Sequence, residues 1–302
     1  MIAKNFKFFV IAPAVIIIAA VIAGIIFGGF NLGLDFTGGT LITVDMGTTF
    51  DSEEVREVVS GMEQVTGDVS VVTAGSDGTE ALIRIQHSTD NAIDDEFAAD
   101  MVAKLAETWT KAKTSNIESV GATASGTLVL NAFLAVAIAC VLMLIYITIR
   151  FQLHSAVGAV VALVHDVIIM CAVMCIFIVS VDSTFIAACL TIVGYSINAT
   201  VIIFDRLRDN LRKYSLKQHS LENIVDISVK ESIGRTINTT ITTLIMIVAL
   251  YILGVNSIKI FAFPIIIGII AGTYSSMIIA PGIWLLMAKK FGVKKPGVKA
   301  IS

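Results

Sequence analysis

Charge is scarce in this chain: Asp, Glu, Lys and Arg make up 15 % of 302 residues, while apolar residues reach 56 %. Soluble domains run at about a quarter charged, so an ordinary soluble globular protein is excluded and an integral membrane protein is expected. Cysteine is sparse as well. Cys140, Cys171, Cys175 and Cys189 all lie within apolar runs, which excludes a disulfide framework and leaves no zinc spacing. Cys171 and Cys175 share a helical face, but their Met and aliphatic neighbours read as the surroundings of packing thiols. A Walker motif, a zinc-protease helix and a nucleophile elbow are missing too, so neither enzymatic chemistry nor a cofactor nor a metal is expected.

The charges that are present are segregated. Residues 29–127 hold 17 Asp or Glu against 5 Lys or Arg, a balance of -12, and the other 203 residues sum to +9. A membrane span needs about 20 apolar residues, and six segments qualify: approximately Phe8 to Gly28, Leu128 to Ile149, Ala156 to Ser180, Thr184 to Phe204, Thr236 to Leu253 and Lys259 to Met287. The last is overlong and contains Pro264 and Pro281, which predicts tilt, a kink or a partly interfacial end. Lys4 and Lys7 precede the first span, Arg150 follows the second, Arg206, Arg208, Arg212, Lys213 and Lys217 follow the fourth, and Lys289, Lys290, Lys294, Lys295 and Lys299 follow the sixth. Six spans put all four groups on one side, so both termini are expected in the cytoplasm and the acidic segment outside. The first apolar run is longer than a signal-peptide core and no small-x-small site follows, so it reads as a retained anchor.

The acidic segment has the patterning of a soluble domain. TLITVDM alternates as a strand, DSEEVREVVSGMEQV opens with carboxylates suited to a helix N-terminus, and VSVVTAG and EALIRIQH read as strands around the turn GSDGT. An amphipathic helix in NAIDDEFAADMVAKLAETWTKA and a last strand in NIESVGA complete βαββαβ, a split βαβ, ferredoxin-like order. The expected organisation is 1–28 as N-terminus and first span, 29–127 as external α+β domain, 128–288 as spans two to six, and 289–302 as a basic tail. Ahead of this domain, LDFTGGT reads as a turn, with Gly38 and Gly39 supplying backbone freedom and Asp35 capping.

Hydrogen-bonding side chains interrupt the apolar runs in three places. In TIVGYSINAT, Thr191, Tyr195 and Asn198 fall at i, i+4 and i+7, with Ala199 one turn beyond Tyr195, so they share a face that must meet other helices or a watery cavity. In LVHDVII, His165 and Asp166 sit near mid-span, where a carboxylate beside a histidine is either a proton-handling pair or a hydrogen-bonded brace for a neighbouring helix. In GRTINTTITTL, Arg235, Asn238, Thr239 and Thr242 form a second polar stripe, and Arg235 either serves it as a counter-charge or simply snorkels to the boundary. Gly268 and Gly272 in IIIGIIAG are the small-xxx-small spacing for close helix approach. The two N-x-T patterns at Asn198 and Asn238 lie in or beside spans, which argues against glycosylation.

Taken together, NLGLDFTGGT, LVHDVII, VGYSINATVIIFDRLRDNLRK and GRTINTTITTL resemble SecF, the smaller membrane subunit of the SecD-SecF preprotein translocation accessory complex, and LIYITIRFQ, VDSTFIAACLTIVGYSIN and AGTYSSMIIA add to the likeness. The resemblance covers Lys7 to about Lys290. It implies an RND-like six-helix half in the cell membrane that pairs with a SecD-like six-helix subunit. It also implies that proton-motive force drives forward movement and release of an unfolded preprotein after the SecA motor has pushed it through the SecYEG channel. YajC, YidC and membrane lipids are implied as further companions, and nucleic acid is not. The implied ion path runs over His165, Asp166, Asn198, Ala199, Thr200, Arg235 and Asn238, with Asp35, Gly38, Gly39, Tyr195, Asp205 and Arg206 as motif positions. One position departs from the pattern: most relatives read Asn-Asp-Thr where this chain has Asn198-Ala199-Thr200. Coupling would then rest on Asp166 with His165, on carboxylates of the partner, or on another cation. A non-conducting scaffold and an RND-type small-molecule exporter are the alternative readings.

Overall fold

The computed structural model describes residues 6–27, 29–62, 65, 67, 69–74, 78–85, 95–120 and 122–293. Lys4, Lys294, Lys295 and Lys299, the first three residues of GSDGT and the first four of the helix expected from Asn91 lie outside it. In chain order the elements are α1 (Ile11–Phe27), β1 (Gly39–Asp45), α2 (Ser52–Ser60), β2 (Val69–Ala74), β3 (Glu80–Ile85), α3 (Asp95–Thr108), β4 (Lys113–Val120), α4 (Ala122–Arg150), α5 (Leu153–Ile176), α6 (Ser183–Lys213), α7 (Leu221–Leu253), α8 (Asn256–Tyr274), a π-helical turn (Ser275–Ile279) and α9 (Ala280–Phe291), with single helical turns at Phe6–Phe9 and Leu34–Thr37. They form two compact units, one of residues 32–133 and the other of residues 1–31 with 134–302.

The smaller unit is a four-stranded antiparallel sheet in the order β2-β3-β1-β4. Strand alternation puts Ile42 and Val44 of β1 and Ala81, Ile83 and Ile85 of β3 on one face, where Val55 and Val59 of α2 and Phe97, Met101 and Leu105 of α3 cover them. The chain enters α2 through Asp51, whose Oδ1 accepts the Glu53 amide at 2.9 Å. In β4 the register skips a residue opposite Thr43 and Val44, leaving a bulge. The turn at Leu34–Thr37 corrects one expectation. Its N-cap is Gly33 and Asp35 lies inside the first turn, past the position from which a cap accepts the free amides. Gly38 and Gly39 follow with φ of 67° and 110°, a left-handed region in which a side chain is strained.

The larger unit is a helix bundle. Among the described residues, five helical runs are long and apolar enough to cross a membrane: α4, α5, α6, α7 and the α8–α9 run from Ile258 to Phe291. α1 is apolar but has 17 residues. Its centre is built from Ala156, Ala159, Ala162 and Leu163 of α5, Val193, Phe204 and Leu207 of α6, and Met277, Ala280, Trp284 and Leu285 of the last run. α4 and much of α7 stay at the edge, with Phe133 at 76 % and Leu253 at 85 % exposure. Polar residues extend two helices beyond their apolar stretches: α6 runs on through Asp205 to Lys213, and α7 starts at Leu221. The two extensions are tied by Arg206 Nε to Glu231 Oε2 at 2.8 Å and by Asn210 Nδ2 to Ser228 Oγ at 3.0 Å.

Small residues set the helix spacing. A Cβ on Gly268 would come within 2.4 Å of Ile192 Cγ1, one on Gly272 within 2.9 Å of Ser196 Oγ, and one on Gly158 within 2.7 Å of the Ala280 carbonyl. Pro264 sits within α8 without ending it, and the irregularity of the last run falls just before Pro281 instead. Proline has no N–H for the carbonyl four residues back and its ring presses on that carbonyl, and the wider π turn makes room. Ser275 Oγ donates to the Gly272 carbonyl and Ser276 Oγ to that of Thr273. Gly268→Ala is expected to cost about 1–3 kcal/mol through overpacking. Gly194→Ala, exposed on α6 with nothing within 4 Å, should be neutral or stabilising by up to about 1 kcal/mol; thermal unfolding of the detergent-solubilised protein measures both.

Candidate functional site

Asp166 is the most deeply enclosed charged residue among those described in the bundle, with 0 % exposure. It lies on the inner face of α5, where the helical repeat aligns it with Ala159, Ala162, Leu163, Ile169 and Met170. Such a carboxyl group needs partners, because burying it without hydrogen bonds costs several kcal/mol. Both oxygens have one: Ser196 Oγ donates to Oδ2 at 2.7 Å, and His165 Nδ1 lies 3.1 Å from Oδ1. Ser196 is 1 % exposed, and it reaches the carboxylate because Gly272 brings α8 close to α6 at that level.

Behind the carboxylate the chain continues through aromatic contacts. The His165 ring stacks on Tyr274 with centroids 6.3 Å apart, and the Tyr274 hydroxyl donates to the Phe9 carbonyl. His165 Nε2 is buried with no hydrogen-bond partner among the described residues. It borders a cavity of about 300 Å³ between α1, α5 and α8, lined by Ala12, Pro13, Ile16, Ile169, Ile270 and Tyr274 among others. The pair therefore lies with Ser196 on one side and an apolar recess on the other.

The remaining sequence-derived positions divide between two faces of α6. Ala199 and Thr200 are buried beside Ser196, with Thr200 Oγ1 donating to the Ser196 carbonyl at 3.3 Å. Asn198 and Thr191 are exposed, and Tyr195 is half-buried. Arg235, Asn238, Thr239 and Thr242 of α7 are exposed as well, and the Tyr195 hydroxyl donates to the Thr239 carbonyl at 3.2 Å, joining the two stripes. Several of these threonines satisfy themselves on their own helix, as Thr239 Oγ1 does on the Arg235 carbonyl at 3.0 Å. The Asn198 face, expected to meet other helices or a watery cavity, is open surface in this chain. Asp205 pairs with Arg208 at 2.9 Å and Arg150 at 3.3 Å, and Arg206 with Glu231, all at the polar ends of the helices. Asp35, Gly38 and Gly39 belong to the turn before β1 and not to this site.

Ser196 and Tyr274 were absent from the candidate positions read from sequence, and Gly272 was read as a close-approach position only. Ser196 carried a signal: it precedes Thr200 by four residues, and this pair marks the inner polar face as clearly as Thr191 and Tyr195 mark the outer one.

The family described as protein export membrane protein SecD/SecF, C-terminal, matches residues 100–290, and the SecD/SecF GG motif matches residues 23–49, which contain Asp35, Gly38 and Gly39. The protein translocase subunit SecF of Cereibacter sphaeroides is 37 % identical over 98 % of this chain and 94 % of its own length. The protein translocase subunit SecDF of Bacillus subtilis is 35 % identical over 92 % of this chain, which spans only 37 % of that longer protein. The crystal structure of SecDF, a translocon-associated membrane protein from Thermus thermophilus, matches with a TM-score of 0.80 at 28 % identity, covering 95 % of this chain and 38 % of the other. With a family match over more than half its length and full-length relatives above 30 % identity, the chain belongs to the SecF family of protein translocase subunits within the SecD/SecF membrane proteins.

Proposed function

We propose that this chain is the SecF-like half of a two-part membrane assembly. In this reading it works with a SecD-like six-helix partner to promote late translocation and release of secreted proteins, drawing on proton-motive force or another ion gradient. The observation that carries the reading is the exposed polar stripe of α6 and α7. Asn198, Arg235 and Asn238 project from the surface of helices whose neighbours are otherwise hydrocarbon-compatible. An arginine and two amides facing lipid are costly, and a companion bundle with its own polar face removes that cost. The Bacillus subtilis and Thermus thermophilus relatives are single SecDF chains of which this chain matches little more than a third, which supports a SecD-like partner for it.

The rest of the assignment follows on the same footing. α1 serves as the first of six spans, and the unit of residues 32–133 is a ferredoxin-like domain, since a βαββαβ order with strands arranged β2-β3-β1-β4 is the split βαβ pattern. The basic ends near Arg150, Arg208 and Lys289 lie on the cytoplasmic side, which leaves the acidic domain outside to handle unfolded preprotein. SecYEG, YajC and YidC are the neighbours this role calls for, and no enzymatic step is assigned. Within the ion path, Asp166 with His165 is the pair that meets the ion, Ser196 orients the Asp166 side chain, and Arg235 is the counter-charge at the subunit boundary.

Ala199 favours a second reading, a scaffold that holds its partner in place without conducting. It is buried on the Ser196 side of α6, so a carboxylate there would stand one turn from the Asp166 hydrogen bond.

In vesicles holding the chain with its partner, Asp166→Asn is expected to abolish proton-driven secretion if the chain conducts; unchanged flux assigns it to the scaffold. Ala199→Asp should raise proton-dependent secretion or change ion preference, and no change in either counts against a shared path. Ser196→Ala leaves Oδ2 of Asp166 without its donor and should lower stability by about 1–3 kcal/mol, read from thermal unfolding in detergent. Pull-down of the solubilised protein should bring down a SecD-like polypeptide; its reproducible absence overturns the paired assembly.

A further inference from the structure

A second cluster lies away from Asp166, where α4 turns into α5. A pocket of about 180 Å³ is lined by Arg150, Phe151, Gln152, Ser155, Arg208 and Trp284, among others. Both guanidinium groups lie over the Phe151 ring, Arg150 at 5.0 Å and Arg208 at 5.4 Å from its centroid. They share one carboxylate oxygen, Asp205 Oδ1, at 3.3 Å and 2.9 Å. Each guanidinium has five donors, so one shared oxygen leaves most of them unused and the cluster with a net positive charge. Arg208 Nε is buried and has no hydrogen-bond partner among the described residues. α5, a helix of 24 residues, begins beside these arginines, just after Gln152. The positive end of the helix dipole therefore adds to the two arginines.

This constellation suits an oxygen-rich anion, since the planar guanidinium forks only donate, and a hydroxyl and a helix N-terminus can donate beside them. The aromatic floor of Phe151 and Trp284 and the position at the end of membrane helices narrow the source. Leu142, Tyr146 and Ile149 lead along α4 up to Arg150 at i, i+4 and i+7, exposed to 60 %, 53 % and 82 %. They form an apolar stripe that ends at the basic pocket. A free phosphate has no use for such a stripe, whereas a phospholipid places its phosphate at the pocket and its acyl chains along the stripe.

We propose that this pocket is a phosphodiester site for an anionic membrane lipid, with Arg150 and Arg208 holding the headgroup phosphate and Ser155 donating to it. The site stands on geometry separate from Asp166, and it holds whether or not the chain conducts ions. Basic pockets between membrane helices at the cytoplasmic face are suited to such headgroups, each arginine near the surface adding to the attraction.

Titration of phosphatidylglycerol into the full chain in neutral detergent, followed by the thermal midpoint, tests this. Phosphatidylglycerol should raise the midpoint well above what phosphatidylcholine or inorganic phosphate achieves. Binding should weaken about tenfold in the Arg150→Gln/Arg208→Gln double variant. Arg150→Gln alone, at a half-exposed position that tolerates the change, should weaken it by a smaller factor and serves if the double variant fails to fold. Arg206→Gln, outside the pocket, should bind as the parent does. Unchanged binding in the pocket variants, equal loss in Arg206→Gln, or an equal response to inorganic phosphate would overturn the lipid site.

Discussion

A carboxylate sealed inside a membrane helix bundle has no water to fall back on, and the bundle is organised around that fact. Asp166 is held from two sides, by Ser196 across the α5–α6 contact and by its own neighbour His165. The Ser196 contact needs helices packed closer than ordinary side chains permit. Gly268 and Gly272 on α8 allow it against α6, and Gly158 on α5 allows it against Ala280 and Trp284. Packing and polarity thus depend on each other: the glycines remove side-chain volume, and the hydrogen bonds make a buried acid tolerable.

Two kinds of polar surface then coexist on one helix. On the inner side of α6, Ser196 and Thr200 are satisfied within the chain. On the outer side, Thr191 and the α7 threonines bond carbonyls of their own helix, while Asn198 and, on α7, Arg235 and Asn238 are exposed. In hydrocarbon a satisfied polar group can stay where it is, while an open one calls for something to cover it. That asymmetry is what the proposed companion bundle would answer. Ala199 sits at the join, buried and without a titratable group, and so divides the two faces where a carboxylate would have linked them.

Much of this was legible before any coordinates. Alternation in TLITVDM and EALIRIQH placed the buried residues of β1 and β3, and the carboxylate-rich start of DSEEVREVV marked the helix that Asp51 caps. The apolar runs located the membrane helices but not their ends. Asp205 to Lys213 and Glu222 to Arg235 look like loop by hydropathy, yet they continue α6 and α7 because their polar groups bond one another across the helix pair. Pro264 and Pro281 look alike as punctuation; only the second sits beside an irregular turn. Asp35 was read as a cap because Asp commonly caps, but the turn begins one residue earlier, at Leu34.

Residue spacing along the chain was enough to show that His165 and Asp166 are intramembrane, that Thr191, Tyr195 and Asn198 share a face, and that Arg235 and Asn238 belong to a second stripe. It could not say which of those faces turns inward. Helical periodicity specifies angles between side chains on one rod and carries no information about that rod's rotation relative to its neighbours. Rotation was decided by the packing of glycines against Ile192 and Ser196, which turned Ser196 toward Asp166 and Asn198 toward the outside.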